Sequence, residues 1–186
     1  MIGFAMCGSY CTHKRSIEQL ELLVREGYDV IPIVSENVFT TDTRFGKAQE
    51  LRERLYALCK RECVHTITDA EPLGPKTTLD ALVICPCTGN TLAKMAQGIT
   101  DTAVTMAAKA HLRGDRPLII ALASNDALSA NLKNIATMLN RKHIYFVPMN
   151  QDDPQKKPHS LVADFSLLRP TFDAAMRGEQ YQKIFI

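Results

Sequence analysis

The residues with the clearest chemical potential lie in the run VICPCTGNTLAKMAQG, Val83 to Gly98. Cys85 and Cys87 stand one residue apart, a spacing open to a metal clip or a redox pair. The next residues, Thr88-Gly89-Asn90-Thr91, could instead hold an anion. The six cysteines fall into three local pairs, Cys7/Cys11, Cys59/Cys63 and Cys85/Cys87. None has the two-residue gap of a zinc ribbon or a thioredoxin-type site. Cys59 and Cys63, four apart, are expected on one face of a helix that offers no further Cys or His ligand. The thiols therefore read as small apolar packing groups, and no metal site is expected.

Hydroxyl- and amide-bearing turns recur along the chain. The first is Cys7-Gly8-Ser9-Tyr10-Cys11-Thr12, where Gly8 permits close backbone approach and Ser9 and Thr12 offer hydroxyls. The second begins at Ser35, the third is Pro86 to Thr91, and the fourth is Ala123-Ser124-Asn125-Asp126. Any one could be an ordinary helix cap. None is a Gly-x-Gly-x-x-Gly or Walker loop. Four converging turns of this kind favour a phosphate-bearing ligand, because helix N-termini present free N–H groups to anions.

No nucleophile–base set is evident. Of the five histidines, His13 stands alone, His111 falls on an apolar helical stripe and His143 opens a strand; His65 and His159 fall in loops, where a catalytic role stays open. No local carboxylate pair suggests glycosidase chemistry, and Asp152-Asp153 reads as solvated. Chemistry is expected from a bound cofactor that the protein positions.

The elements that must position these turns are short apolar runs alternating with amphipathic segments. Strands are predicted at Ile2–Met6, Val30–Val34, Ala81–Cys85, Leu118–Leu122 and Ile144–Val147, each near-continuously apolar as in a parallel sheet covered on both faces. Helical stripes are marked by Ile17/Leu20/Leu23/Val24, Ala48/Leu51/Leu55/Leu58, Leu92/Met95/Ala96/Ile99, Val104/Ala107/Ala108/His111 and Leu132/Ile135/Ala136/Leu139. The alternation predicts an α/β fold, a doubly wound parallel sheet flanked by helices. In such sheets ligands bind at the carboxyl ends of the strands, where all four polar turns fall. The polar, proline-bearing stretch 150–160 is expected as an exposed flap on a single domain spanning 1–186.

Composition narrows the classes of function. The chain has 186 residues, 46% of them hydrophobic, which suits one globular core. A formal charge of only +2 gives no support to a nucleic-acid or anionic-membrane surface. No apolar run is long enough to span a bilayer, and no basic leader precedes the first strand, so a cytoplasmic location is expected.

The stretch Pro86-Cys87-Thr88-Gly89-Asn90-Thr91 resembles the Pro-Ala-Ser-Ala-Asn-Thr motif of the flavoprotein superfamily of homo-oligomeric flavin-containing cysteine decarboxylases. Ala123 to Leu128 resembles its second motif, Pro-x-Met-Asn-x-x-Met, with Asn125 on the key Asn and Ser124 in place of Met. Gly8-Ser9 falls where that family has its first phosphate loop. The likeness runs from Ile2 to about Asp164 and implies a flavodoxin-like, Rossmann-like fold, an FMN site that includes the downstream Asp101, and assembly into homo-oligomers such as trimers. Two departures speak against decarboxylation of a peptidyl cysteine. The family's His about fourteen residues before the motif's Pro is replaced by Pro72, and the substrate flap, here Gln151 to Ser160, has no Cys.

Three further runs, Asn37 to Ala48, Ala70 to Lys76 and Tyr145 to Pro158, resemble a narrower family, the B components of the dipicolinate synthases of spore-forming bacteria. That resemblance implies an oxidoreductase component acting in the mother-cell cytoplasm with an A subunit that uses NADP or NAD. The pair would oxidise a dihydrodipicolinate-level intermediate to a dicarboxylate. Arg44 and Lys76 are the cations expected to meet substrate carboxylates, Arg by a bidentate fork and Lys as a point charge. A flavin-dependent decarboxylase and a non-catalytic partner protein are the alternatives.

Overall fold

The computed structural model describes residues 1–74 and 76–186. The chain runs β1 (Ile2–Met6), α1 (His13–Arg25), β2 (Val30–Val34), α2 (Glu36–Thr40), α3 (Ala48–Cys59), α4 (Ile67–Ala70), β3 (Ala81–Thr88) and α5 (Gly89–Gln97). It continues through α6 (Ala103–Leu112), β4 (Leu118–Ser124), α7 (Leu132–Leu139), β5 (Ile144–Phe146), β6 (Met149–Asn150), β7 (Leu161–Ala163) and α8 (Leu168–Met176). Strands β1 to β5 are parallel in the order β2-β1-β3-β4-β5, with Ile2 opposite both Val30 and Ala81. This is the doubly wound, flavodoxin-like order.

Strand alternation divides the core into two layers. Phe4, Met6, Val83, Cys85 and Ile119 face one layer with Leu20, Leu23 and Phe172; Ala5, Ile84, Cys87, Ile120 and Leu122 face the other with Leu92, Val104 and Met138. Every residue of β1, β2 and β4 is buried, which is why these strands read as continuous apolar runs.

The structure departs from the sequence expectations at the edges. Strand β3 does not end at Cys85; its register shifts between Ile84 and Cys87, and pairing resumes to Thr88 opposite Ala123. The sheet is mixed rather than purely parallel. Beyond β5, the carboxyl end of β4 pairs antiparallel with β7 through Ala123–Val162 and Ser124–Leu161, and β7 pairs antiparallel with β6. The 150–160 flap is thus the loop of a β6–β7 hairpin. Helix α5 stops at Gln97, with Gly98 left-handed at φ 74°, so Ile99 leaves the stripe and is exposed. In α7 the inward face is Asn134, Ile135 and Met138, while Leu132 and Leu139 face out. Helix α3 ends at Cys59 with Lys60 at φ 54°, so Cys63 does not share its face.

Candidate functional site

Strand order reverses between β1 and β3, and the loops after these strands open a crevice there. The cleft holds about 520 Å³. It is lined by Gly8, Ser9 and Thr12 after β1, by Thr88, Gly89 and Asn90 after β3, and by Ser124 and Asn125 after β4. Arg44 reaches it from the α2–α3 segment. Four expected residues do not line it. Ser35 precedes α2, with its N–H on the Met6 carbonyl, and Thr91 is buried beneath the loop. Asp101 lies past the carboxyl end of α5, bound to Lys94 Nζ at 2.9 Å through both oxygens. That ammonium holds the Asp101 carboxyl below the usual range. Lys76 sits in the turn before β3, at the amino edge of the sheet, opposite the cleft.

The first loop is fixed from three directions. Thr12 Oγ1 donates to the Ser9 carbonyl at 2.7 Å, which commits that hydroxyl's proton. Tyr10 Oη donates to the Asn37 carbonyl at 2.9 Å. His13 lies buried with Nε2 2.8 Å from the Cys7 carbonyl, and burial pushes its pKa down, so the ring is a neutral prop. Gly8 is not required by the chain's own packing. A Cβ there would meet only the Tyr10 side chain, at 3.5 Å and beyond, so the space above its backbone is open to the cleft.

The second loop is capped by Thr88, whose Oγ1 accepts from Thr91 N–H at 3.3 Å and donates to Thr91 Oγ1 at 3.1 Å. Thr91 Oγ1 in turn contacts Cys7 Sγ at 3.3 Å, tying the two loops together underneath. The first N–H groups of α5, from Gly89 and Asn90, have no partner within the helix and lie on the cleft.

Gly89 answers to its neighbours. A Cβ there would stand 2.7 Å from Asn131 Nδ2 and 2.9 Å from Asp126 Oδ1, and closer still to Ser124 Oγ. These three form a bonded cluster. Ser124 Oγ donates to Asp126 Oδ1, and Asn131 Nδ2 donates to both Asp126 oxygens at 2.9 and 2.8 Å. Asn134 Nδ2 donates to Asn131 Oδ1 at 2.8 Å. The Ser124 hydroxyl, with help from Asn131, holds the Asp126 carboxyl below its ordinary pKa. An ionised carboxylate thus sits at the N-terminus of α5, a favourable place for it.

Sequence reasoning missed Tyr10, Arg15, Asp126, Asp152 and Lys157 on the cleft wall. Arg15 is in the first turn of α1 with its guanidinium 4.8 Å over the Phe165 ring. Lys157 reaches in from the flap and pairs with Asp152 at 2.7 Å. The flap is internally braced: Gln151 Nε2 donates to the Pro158 carbonyl at 2.8 Å, and Lys157 N–H to the Asp153 carbonyl at 2.7 Å. Its base is tied to the 126–131 turn by Leu128 N–H on the His159 carbonyl.

Thiols play no part in the cleft's polar lining apart from exposed Cys11. Burial raises the Cys85 pKa to about 12 and pushes Cys87 well up, so both remain protonated packing groups. Among the described residues, no three His, Cys, Asp or Glu gather as a metal site. Neither His65 nor His159 lines the cleft; His65 stacks on Phe39 with ring centroids 3.6 Å apart. No helix among the described residues is long and apolar enough to cross a membrane.

A polar crevice thus lies at the switch point of a doubly wound sheet, the place where open α/β sheets take their ligands. The chain belongs to the Flavoprotein family, whose model matches residues 1–164. It is 44% identical over 185 residues to the B subunit of dipicolinate synthase from Bacillus subtilis (strain 168), covering 100% of this chain and 92% of the relative. The crystal structure of the corresponding B subunit from Bacillus halodurans C superposes with a TM-score of 0.91 at 44% identity, covering 100% of this chain and 95% of that one. The FMN-dependent cysteine decarboxylase SpaF shares the fold at a TM-score of 0.67 and 20% identity, with 95% of each chain covered.

Proposed function

We propose that this chain acts as the B subunit of a dipicolinate synthase. With an A subunit that works as an NADP- or NAD-dependent dehydrogenase, it oxidises a dihydrodipicolinate-level intermediate to pyridine-2,6-dicarboxylate. The reading is carried by one observation: the full-length likeness to the B subunit of the Bacillus subtilis synthase takes in every segment that builds the cleft.

The donor set fits a flavin phosphate. Gly8 leaves its backbone open, Ser9 offers a hydroxyl held only by a long 4.0 Å contact with exposed Cys11 Sγ, and Asn90 offers its amide beside the free N–H groups at the start of α5. Arg15 supplies a positive charge on the α1 side. The Asp126 carboxylate opposes an anion directly over Gly89, so it steers the phosphate toward Ser9 and Arg15. FMN, when bound, supplies electron transfer between a reduced substrate ring and an acceptor. The protein's share is to bind, to orient, and to keep the loops rigid through the Thr88–Thr91–Cys7 and Ser124–Asp126–Asn131 contacts.

Homo-oligomeric assembly, an A-subunit partner and work in the cytoplasm of the mother cell belong to the same proposal. Decarboxylation of a peptidyl cysteine does not: Pro72 stands where the decarboxylases carry their His, and no histidine from a loop reaches the cleft. The test is reconstitution with the A subunit alone, this chain alone, and both together, each with and without FMN. Dicarboxylate formation that needs both proteins and rises with FMN supports the reading. Full activity of the A subunit alone would refute it. A colourless chain that still activates its partner would make it a non-catalytic component.

A further inference from the structure

A second groove of about 320 Å³ opens beside the cleft, between α1, α2 and the start of α3. Tyr10 and Phe45 line both cavities. Their linings differ in kind. The cleft offers hydroxyls, amides and helix N–H groups, which suit a phosphate. The groove has an apolar floor of Ile17, Val38 and Leu51. Its rim carries Lys14 and Lys47, neither of which pairs with an acid among the described residues. Of the other lining charges, Arg54 is spent on Glu21 at 2.8 Å, and Glu50 is the acid.

Phe45 marks the seam. It is 54% exposed, a large ring face left in water. It is held there by a tight turn in which Thr43 and Gly46 exchange backbone hydrogen bonds at 3.0 and 3.1 Å. The Arg44 guanidinium lies 4.9 Å over the same ring and faces the cleft side. An apolar floor, an exposed aromatic face and two uncommitted ammonium groups are the complement of a flat ring bearing carboxylates. The volume falls within the range of about 300–1,000 Å³ found for small-molecule pockets.

We propose that this second groove is the substrate subsite and takes a planar or near-planar heterocycle bearing two carboxylates. The ring rests on the Ile17–Val38–Leu51 floor, and Lys14 and Lys47 meet the carboxylates. Cofactor and substrate then lie in adjoining cavities that meet where Tyr10 and Phe45 line both. The assignment rests on the synthase reading above.

The test measures calorimetric binding of pyridine-2,6-dicarboxylate to the chain supplemented with FMN. Lys14→Ala and Lys47→Ala should each weaken binding about tenfold, while Lys47→Arg, which keeps the charge, restores most of it. FMN affinity, followed by flavin fluorescence quenching, should be unchanged. Undetectable binding by the wild type, or equal affinity in the double alanine variant, would overturn the subsite. A loss of FMN affinity in place of dicarboxylate affinity would overturn it too, by giving the groove to the flavin ring. Reconstitution with the A subunit separates the two claims. A wild-type pair that makes no dicarboxylate sinks the synthase reading, whereas an active pair whose KM ignores both lysines sinks the subsite alone.

Discussion

Replacing Gly89 by alanine places a methyl group inside the Ser124–Asp126–Asn131 cluster. At an open helical position this change would stabilise the chain by up to about 1 kcal/mol. Here the methyl carbon would stand 2.7 Å from Asn131 Nδ2 and 2.9 Å from Asp126 Oδ1, with Ser124 Oγ closer still. None of the three can turn aside freely, because each is bonded to another member of the cluster. Forcing an extra methyl into a packed site costs about 1–3 kcal/mol. Displacing a hydrogen bond to a carboxylate adds about 1.5–3 kcal/mol. Against the helical gain, the net loss comes to about 1.5–5 kcal/mol, or roughly 3–20 °C in Tm for a chain of this size. Urea unfolding followed by circular dichroism, with the slope checked for two-state behaviour, reads the number. The double variant Gly89→Ala/Ser124→Ala removes the nearest obstacle and should recover part of the loss. If Gly89→Ala alone were as stable as the wild type, the close approach that the structure gives this glycine would be wrong.

Three other perturbations follow from the same geometry. Arg15→Ala should weaken FMN binding, measured by fluorescence titration, and the loss should shrink as salt rises; equal affinities at low salt would remove Arg15 from the phosphate site. His111 is buried with Nε2 on the Pro117 carbonyl at 2.9 Å, and burial lowers its pKa, so the unfolded chain binds its proton first. Stability should therefore be full above about pH 6.5 and fall as pH drops below it; His111→Gln should make that acid limb shallower in pH-dependent unfolding. Deleting Ile184–Ile186 removes the backbone pairs Met149 N–H to Ile184 carbonyl (2.8 Å) and Ile186 N–H to Met149 carbonyl (3.1 Å). That bares the β6 edge, and light scattering at fixed concentration should detect association that the full chain resists.

The strands are legible in the sequence because burial on both faces leaves a plain mark. Ile2–Met6 and Val30–Val34 match their predicted bounds, and the doubly wound α/β class follows from them. What escapes is short. Helices α2 and α4, of five and four residues, are too brief to show a period, and β6 and β7 have only two and three residues. The site divides in the same way. Gly8, Ser9, Asn90 and Asn125 can be placed because each follows a strand, and topology sends strand ends to one edge. Arg15 and Lys157 look like any solvated cation, and only folding brings them to that edge. Asp126 is spelled out beside Asn125, but its bonds to Ser124 and Asn131 depend on a turn that spacing does not reveal. Lys76 stands out by its charge, yet the turn before β3 carries it to the opposite edge of the sheet.

The hairpin of β6 and β7 hangs its loop from two short strands, and among the described residues β7 pairs with the rest of the sheet at Ala123 and Ser124 alone. The outer wall of the cleft, with Asp152 and Lys157, is therefore carried by the end of β4 and the 126–131 turn rather than by the loops after β1 and β3. Among the described residues, no ladder pair joins this hairpin to β1 or β3. A fold arranged in this way can change the outer wall of its cleft, from Gln151 to Ser160, while the turns after β1 and β3 stay as they are.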